Sequence, residues 1–159
     1  MTRDLHQPGD ELWTSAYPAP GEEAAISVGQ VGVWGEGDEI CLISYANGYY
    51  LSRQAALLLE QLHDIHLRVI DLRWLAPLDA VALVTAIEPC RRVLIVYECR
   101  RSGSPSESII TVLIEHSSKP LQLARLTAED CFIPLADAAQ LLLPSRDAIV
   151  AKVLDMLCE

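Results

Sequence analysis

The chain has 159 residues, 51% hydrophobic and 21% charged, an ordinary globular composition for one domain with one core. Its net charge of −10 excludes a nucleic-acid or anionic-membrane surface as the natural partner, because like charges would be repelled. No apolar run approaches the roughly 20 residues of a membrane span.

Residues 1–28 carry Pro8, Gly9, Pro18, Pro20 and Gly21 with little periodicity, and read as an extended arm or linker. The first ten residues are polar and include two acids, unlike a signal peptide. Acids dominate this end: Asp4, Asp10, Glu11, Glu22, Glu23, Glu36 and Asp38 stand against Arg3 alone. A solvated arm is expected, with an acidic contact to a basic partner as the sharper reading.

The domain proper is expected over residues 29–159. Gln30–Trp34 fits a strand, followed by turn chemistry in Gly35-Glu36-Gly37-Asp38. Ile40–Tyr45, Leu67–Asp71, Val93–Tyr97 and Leu121–Leu126 are short, apolar and rich in β-branched residues, which suits strands buried on both faces of a parallel sheet. The segments between them change period. Leu51, Ala55, Leu58, Leu59 and Leu62 share a helical face, as do Val81, Val84 and Ile87 behind an N-cap at Asp79. Ser104-Pro105-Ser106-Glu107 reads as a capping box with proline at the first helical position, opening a helix that buries Ile109, Ile110, Leu113 and Ile114. A short helix over Leu135–Leu142 ends at Pro144. A last helix from Ser145 buries Ile149, Val150, Val153, Leu154 and Leu157. Strands alternating with helices predict a three-layer α/β/α sandwich.

No catalytic constellation stands out. The glycines near Gly29, Gly32, Gly35 and Gly37 precede a strand and do not form a dinucleotide fingerprint. Cys41, Cys90, Cys99, Cys131 and Cys158 are odd in number and lack metal or disulfide spacing, so buried thiols in a reducing compartment are expected. His6, His63, His66 and His116 offer no ligand set, and a surface role is expected. The remaining place to look is the C-terminal edge of the sheet, where open α/β folds take ligands. There Asn47, Gly48, Arg100, Arg101 and Ser104 form a candidate anion site, the arginines lying beside a helix N-terminus. The alternative is that these arginines are solvated or paired with acids such as Glu98. Asp71 and Arg73, just before Pro77 and Asp79, are read as a structural motif tying a strand end to the next helix.

Three segments carry a resemblance: Val69-Ile70-Asp71-Leu72-Arg73-Trp74-Leu75-Ala76-Pro77-Leu78-Asp79, Arg92-Val93-Leu94-Ile95-Val96-Tyr97-Glu98, and Leu143-Pro144-Ser145-Arg146-Asp147-Ala148-Ile149-Val150. Their order and spacing resemble the C-terminal domain of transketolase-type thiamine-diphosphate enzymes. The match looks closest to the beta subunit of the decarboxylase component of 2-oxo acid dehydrogenase complexes. One departure is Ser102-Gly103-Ser104-Pro105-Ser106-Glu107, where the family usually has a Thr-Gly-Gly loop and a Gly-Ala-Glu helix start.

The resemblance implies a five-stranded, mostly parallel sheet. Its first strand would be antiparallel, at an edge and away from its sequence neighbour, whereas local reasoning would pair Gln30–Trp34 with Ile40–Tyr45 as a hairpin. It implies a non-catalytic scaffold and dimerisation domain of a pyruvate or branched-chain 2-oxo acid dehydrogenase, cytoplasmic or in an organelle matrix. Thiamine diphosphate and magnesium would belong to the full enzyme and not to this chain. Partners would be the remaining domains or an alpha subunit, a second copy of the chain, and the acyltransferase core. The chain would be a piece of a longer enzyme, with a stand-alone gene product as the alternative. The other functional class kept open is a regulatory module binding a small anion at the Asn47–Ser104 edge.

Overall fold

The computed structural model describes Ala19, Gly21 and residues 25–158; most of the arm expected over 1–28 lies outside them. The elements in chain order are β1 (Gly32–Trp34), β2 (Ile40–Ser44), α1 (Ala46–His63), β3 (Arg68–Asp71), α2 (Ala80–Ile87), β4 (Arg92–Arg100), α3 (Pro105–His116), β5 (Gln122–Ala128), a 3-10 helix (Ala136–Leu141) and α4 (Arg146–Cys158). The five strands form one sheet in the order β1-β3-β2-β4-β5. β1 runs antiparallel to β3, with Val33 opposite Ile70. The pairings of β2 with β3, β2 with β4 and β4 with β5 are parallel. The edge strand is therefore separated from its sequence neighbour, and the hairpin that local turn chemistry suggests does not form.

Strand pleating sorts the core into two halves. Ile40, Leu42, Val69, Leu94 and Val96 point to one face and pack under Ala55, Ala56 and Leu59 of α1 and Ile149, Val153 and Met156 of α4. Cys41, Ile43, Ile70, Val93, Ile95 and Tyr97 point to the other and meet Leu83 and Ile87 of α2 and Ile109 and Leu113 of α3. Helices on both faces explain why these strands read as unbroken apolar runs.

The helical faces are rotated from their sequence-predicted positions. α1 buries Ser52, Ala55, Ala56 and Leu59, leaving Leu58 half-buried and Leu62 exposed. α2 turns Leu83 and Ile87 inward and leaves Val81 in solvent. α3 exposes Ile114, and α4 buries Met156 while Val150, Leu154 and Leu157 cover the core partially. In α1 small and polar residues on the inward face let the helix sit close to its neighbours. In α1 the inward stripe Ser52–Ala55–Ala56–Leu59 still has helical spacing.

The Gly35–Asp38 segment is a crossing and not a tight turn. It carries the chain from β1, beyond β3, back to β2 over the start of β3. A Cβ at Gly35 or at Gly37 would lie 2.2 Å from the carbonyl oxygen of Leu67 or His66 respectively. The Gly37 carbonyl in turn accepts from Arg68 Nε at 3.0 Å. Gly37→Ala should cost at least about 2 kcal/mol in urea unfolding, because backbone must move to admit the methyl. Gly103→Ala, which meets only strain from a φ of +63°, should cost about 1 kcal/mol.

Candidate functional site

A doubly wound sheet takes ligands in the crevice where successive connections leave on opposite faces. Here that point lies between the C-terminal ends of β2 and β4, since α1 covers one face and α3 the other. Side chains fill it. The buried Ser44 Oγ donates to the Val96 carbonyl at 2.8 Å. Gly48 packs against Ser44 so tightly that a Cβ there would be 2.4 Å from Oγ. The Tyr45 hydroxyl lies 3.3 Å from Cys99 Sγ, and its ring meets that of Tyr97 tilted by 52°, with centroids 4.6 Å apart. Burial, then the Cys99 hydrogen bond, pushes the Tyr45 phenol up to about 12. Burial also raises Tyr97, so both are neutral phenols and neither is a base near neutrality. Asn47 Nδ2 donates to Glu98 Oε1 at 2.8 Å. Of the candidate anion residues, Asn47 is thus committed to a carboxylate and Gly48 to backbone packing.

The strand expected to end at Tyr97 continues to Arg100. Its register with β5 slips between Tyr97 and Arg100, leaving Glu98 and Cys99 as a bulge that turns them toward the crevice. The loop that follows is pinned from both sides. Asp130 accepts from the Ser102 amide at 2.8 Å and from its hydroxyl at 2.5 Å. Arg125 Nη1 donates to the Arg101 carbonyl at 3.0 Å and to Ser106 Oγ at 3.2 Å, and lies 3.7 Å from Glu107.

The capping box takes a shifted form. Ser104 Oγ bonds to Ser106 Oγ at 2.7 Å instead of capping α3, and Glu107 reaches past the cap to the Gly103 amide at 3.2 Å. Arg100 and Ser104 share one cleft wall with Glu98. Three carboxylates, Glu98, Glu107 and Asp130, therefore stand near Arg100 and Arg125, and an entering anion meets both signs of charge.

Asp71, Arg73, Pro77 and Asp79 occupy the β3–α2 connection. Asp71 Oδ1 accepts from the Arg73 amide at 3.2 Å, and its other oxygen lies 3.5 Å from Arg73 Nε. Arg73 adopts a φ of +56°, which lays its guanidinium across Gly32 of β1; a Cβ there would come within 2.6 Å of it. Asp79 caps α2 by accepting from the Ala82 amide at 2.9 Å, and the Ala76–Pro77 peptide is cis. The Asp71–Arg73 pair thus fastens the strand end to β1, while Asp79 alone serves the helix.

Tyr45, Tyr97, Arg125 and Asp130 escape sequence reasoning. Each sits inside or just after an apolar run, and its partner is tens of residues away. Among the described residues no three His, Cys, Asp or Glu side chains converge to hold a metal ion. His66 lies 3.5 Å from Glu60 and 3.6 Å from Asp64 on the surface. The cysteines are free thiols, but only Cys41 and Cys90 are buried: Cys99 is half-buried, and Cys131 and Cys158 are exposed, unlike the uniformly buried set expected.

The family model for the transketolase C-terminal domain matches residues 29–149. The pyruvate dehydrogenase E1 component subunit beta of Staphylococcus aureus is 30% identical over 140 residues, 87% of this chain and 43% of that protein. Its counterpart in Staphylococcus epidermidis is 33% identical over 133 residues, 82% of this chain and 41% of that protein. The chain thus spans less than half the length of these curated relatives. Among solved structures, a split-gene transketolase in an inactive beta4 tetramer superposes with a TM-score of 0.74 at 22% identity, covering 86% of this chain and 44% of that one. A 2-oxoglutarate:ferredoxin oxidoreductase from Magnetococcus marinus gives 0.57 at 16% identity, over 79% of this chain and 19% of that one. Both likenesses show the fold.

Two outcomes test this geometry. Gly48→Ala should destabilise the chain by about 2 kcal/mol in chemical denaturation despite the better helix propensity of alanine. Combining it with Ser44→Ala should recover about 1 kcal/mol of what the two single changes lose, a non-additivity that a double-mutant cycle reads directly. The Asp130 carboxyl is held below its ordinary range by the Ser102 hydroxyl and then the Ser102 amide. A depressed carboxyl contributes above the ordinary value and ceases to as pH falls through its lowered one. The Ser102 amide resonance should therefore titrate with a midpoint below the ordinary aspartate value of about 3.9.

Proposed function

Because this chain belongs to the transketolase C-terminal domain family, we propose that it is the non-catalytic scaffold and dimerisation domain of a thiamine-diphosphate-dependent 2-oxo acid dehydrogenase of the pyruvate or branched-chain type. The observation that carries the reading is a run of uncovered apolar side chains between β5 and α4. Phe132 is fully exposed, Leu135 is 90% and Leu141 85% exposed, and Ile133 is half-exposed. A monomer's surface rarely leaves large apolar groups gathered in one segment, so such a run reads as an interface. In this reading it meets a second copy of the chain and the remaining enzyme domains or an alpha subunit, with the acyltransferase core as a further partner.

Met156 belongs to the core, and Leu142 and Leu143 are half-buried, so Leu135 and Leu141 are the residues to change. Glu98, Glu107 and Asp130 are each engaged with neighbours, and no three His, Cys, Asp or Glu side chains converge among the described residues. In this reading thiamine diphosphate and magnesium belong to the remaining parts of the enzyme. No helix among the described residues is long and apolar enough to cross a membrane.

Sedimentation across a concentration series should show the chain self-associating. Leu135→Glu with Leu141→Glu should shift it to monomer and leave the unfolding midpoint unchanged. A strict monomer at high concentration would refute dimerisation. In calorimetry the chain should take up no thiamine diphosphate with magnesium; saturable uptake would refute the scaffold assignment.

A further inference from the structure

β5 is the last strand of the sheet, and among the described residues no strand pairs with its outer side. One bond shows which of its groups that leaves open. The Gln122 amide donates to the Arg91 carbonyl at 3.0 Å, so Gln122 turns its backbone toward β4. Backbone direction alternates along a strand, so Ala124 and Leu126 face β4 as well. Leu123, Arg125 and Thr127 then direct their amides and carbonyls outward. Among the described residues these groups meet no backbone or side-chain partner. Gln122 to Thr127 all stay partly exposed.

Open edges are ordinarily guarded by shortness, proline or an exposed charge. β1, at the other edge, is three residues long. β5 has seven, with neither proline nor lysine. Its one charge is drawn off the edge toward α3: Arg125 Nη1 donates to Ser106 Oγ at 3.2 Å and lies 3.7 Å from Glu107. An unguarded edge of this length is a template for another strand.

The ends of β5 say which strand fits. Lys119 precedes it, Glu129 and Asp130 follow it, and no acid lies between Glu115 and Glu129. Lys119 Nζ donates to the Glu88 carbonyl, not to a carboxylate. Glu129 is exposed and forms no ion pair among the described residues. A strand with a positive start and a negative end complements itself when reversed. A second β5, antiparallel about a two-fold axis at Arg125, sets Leu123 opposite the partner's Thr127 and uses all the open amides and carbonyls. It lays Glu129 against the start of the other β5, beside Lys119. The two Arg125 side chains meet at the axis, each neutralised by its own Glu107. Elsewhere a net charge of −10 opposes the approach of two copies. The exposed apolar run from Phe132 begins just past the end of β5, so the edge leads into the surface already assigned to the dimer.

We propose that two copies of this chain join through β5, antiparallel and centred on Arg125, into one continuous sheet. The inference rests on the dimerisation reading and names the contact that carries it.

The test is amide hydrogen exchange, read by NMR on the 159-residue chain across a concentration series, with sedimentation of the same samples. The Leu123, Arg125 and Thr127 amides should exchange fast in dilute chain and become protected as dimer forms. Those of Ala124 and Leu126 should stay protected throughout. Thr127→Pro removes an outward amide and no bond to β4, so it should fold and weaken the dimer about tenfold, since each copy loses one hydrogen bond. Glu129→Lys should also weaken the dimer, and adding Lys119→Glu should restore it; this pair keeps the test decisive if Thr127→Pro does not fold. A dimer whose Leu123, Arg125 and Thr127 amides stay fast, full affinity in a folded Thr127→Pro chain, or no rescue by the paired reversal would each overturn the edge contact and leave the dimerisation reading standing. Protection of those amides already in the dilute monomer would show the chain covering its own edge, and would overturn it too. A strict monomer at high concentration would overturn both.

Discussion

The structure depends on β2 being central. Every residue from Ile40 to Ser44 is fully buried, and both edges of the strand are taken, one by β3 and the other by β4. With no free edge, β2 cannot accept β1, so β1 must pair beyond β3. The chain must then cross the start of β3, and only residues without a side chain fit so close to the Leu67 and His66 carbonyls. One saturated strand thus dictates the antiparallel edge, the glycine crossing and the Arg68 bond to Gly37 that holds it. The same strand divides the core, its alternate side chains belonging to opposite helical layers.

Centrality also decides what happens at the ligand-prone end of the sheet. The connections leave β2 and β4 on opposite faces, which opens a crevice in such folds. In this chain Ser44, Tyr45 and Asn47 each reach across it to β4, at Val96, Cys99 and Glu98. The three contacts use hydroxyl and amide groups that an active site would otherwise offer to substrate. The end of the sheet is consequently a joint.

Much of this architecture is legible because apolar runs buried on both faces are a strong pattern, and β2, β3 and β4 fall where such runs are; β1 and β5, at the edges, are only partly buried. The order of β1 was not legible locally. Gly35-Glu36-Gly37-Asp38 has the composition of a hairpin turn, and nothing in four residues says that β2's edges are already occupied. The resemblance supplied the correct edge placement because it carries long-range pairing that composition does not. The helix faces differ from the periodic reading for a related reason: the period finds the bulkiest stripe, while packing against a sheet and a second helix selects Ser52, Ala55 and Ala56 in α1. At the sheet end only position along the chain marks the candidate residues. The bulge at Glu98 and Cys99, and the contacts from Arg125 and Asp130 that fix the loop, join residues far apart in sequence and leave no spacing to read.

The departure at Ser102–Glu107 follows from the same geometry. Proline at the first helical position removes an amide from the start of α3, and the shifted Glu107 occupies another by bonding to Gly103. Arg125 then neutralises Glu107 from β5, and Asp130 secures Ser102 on the far side. A flexible glycine-rich loop could present its amides to a ligand or to a neighbouring domain. This one spends them internally, on Asp130 and Glu107.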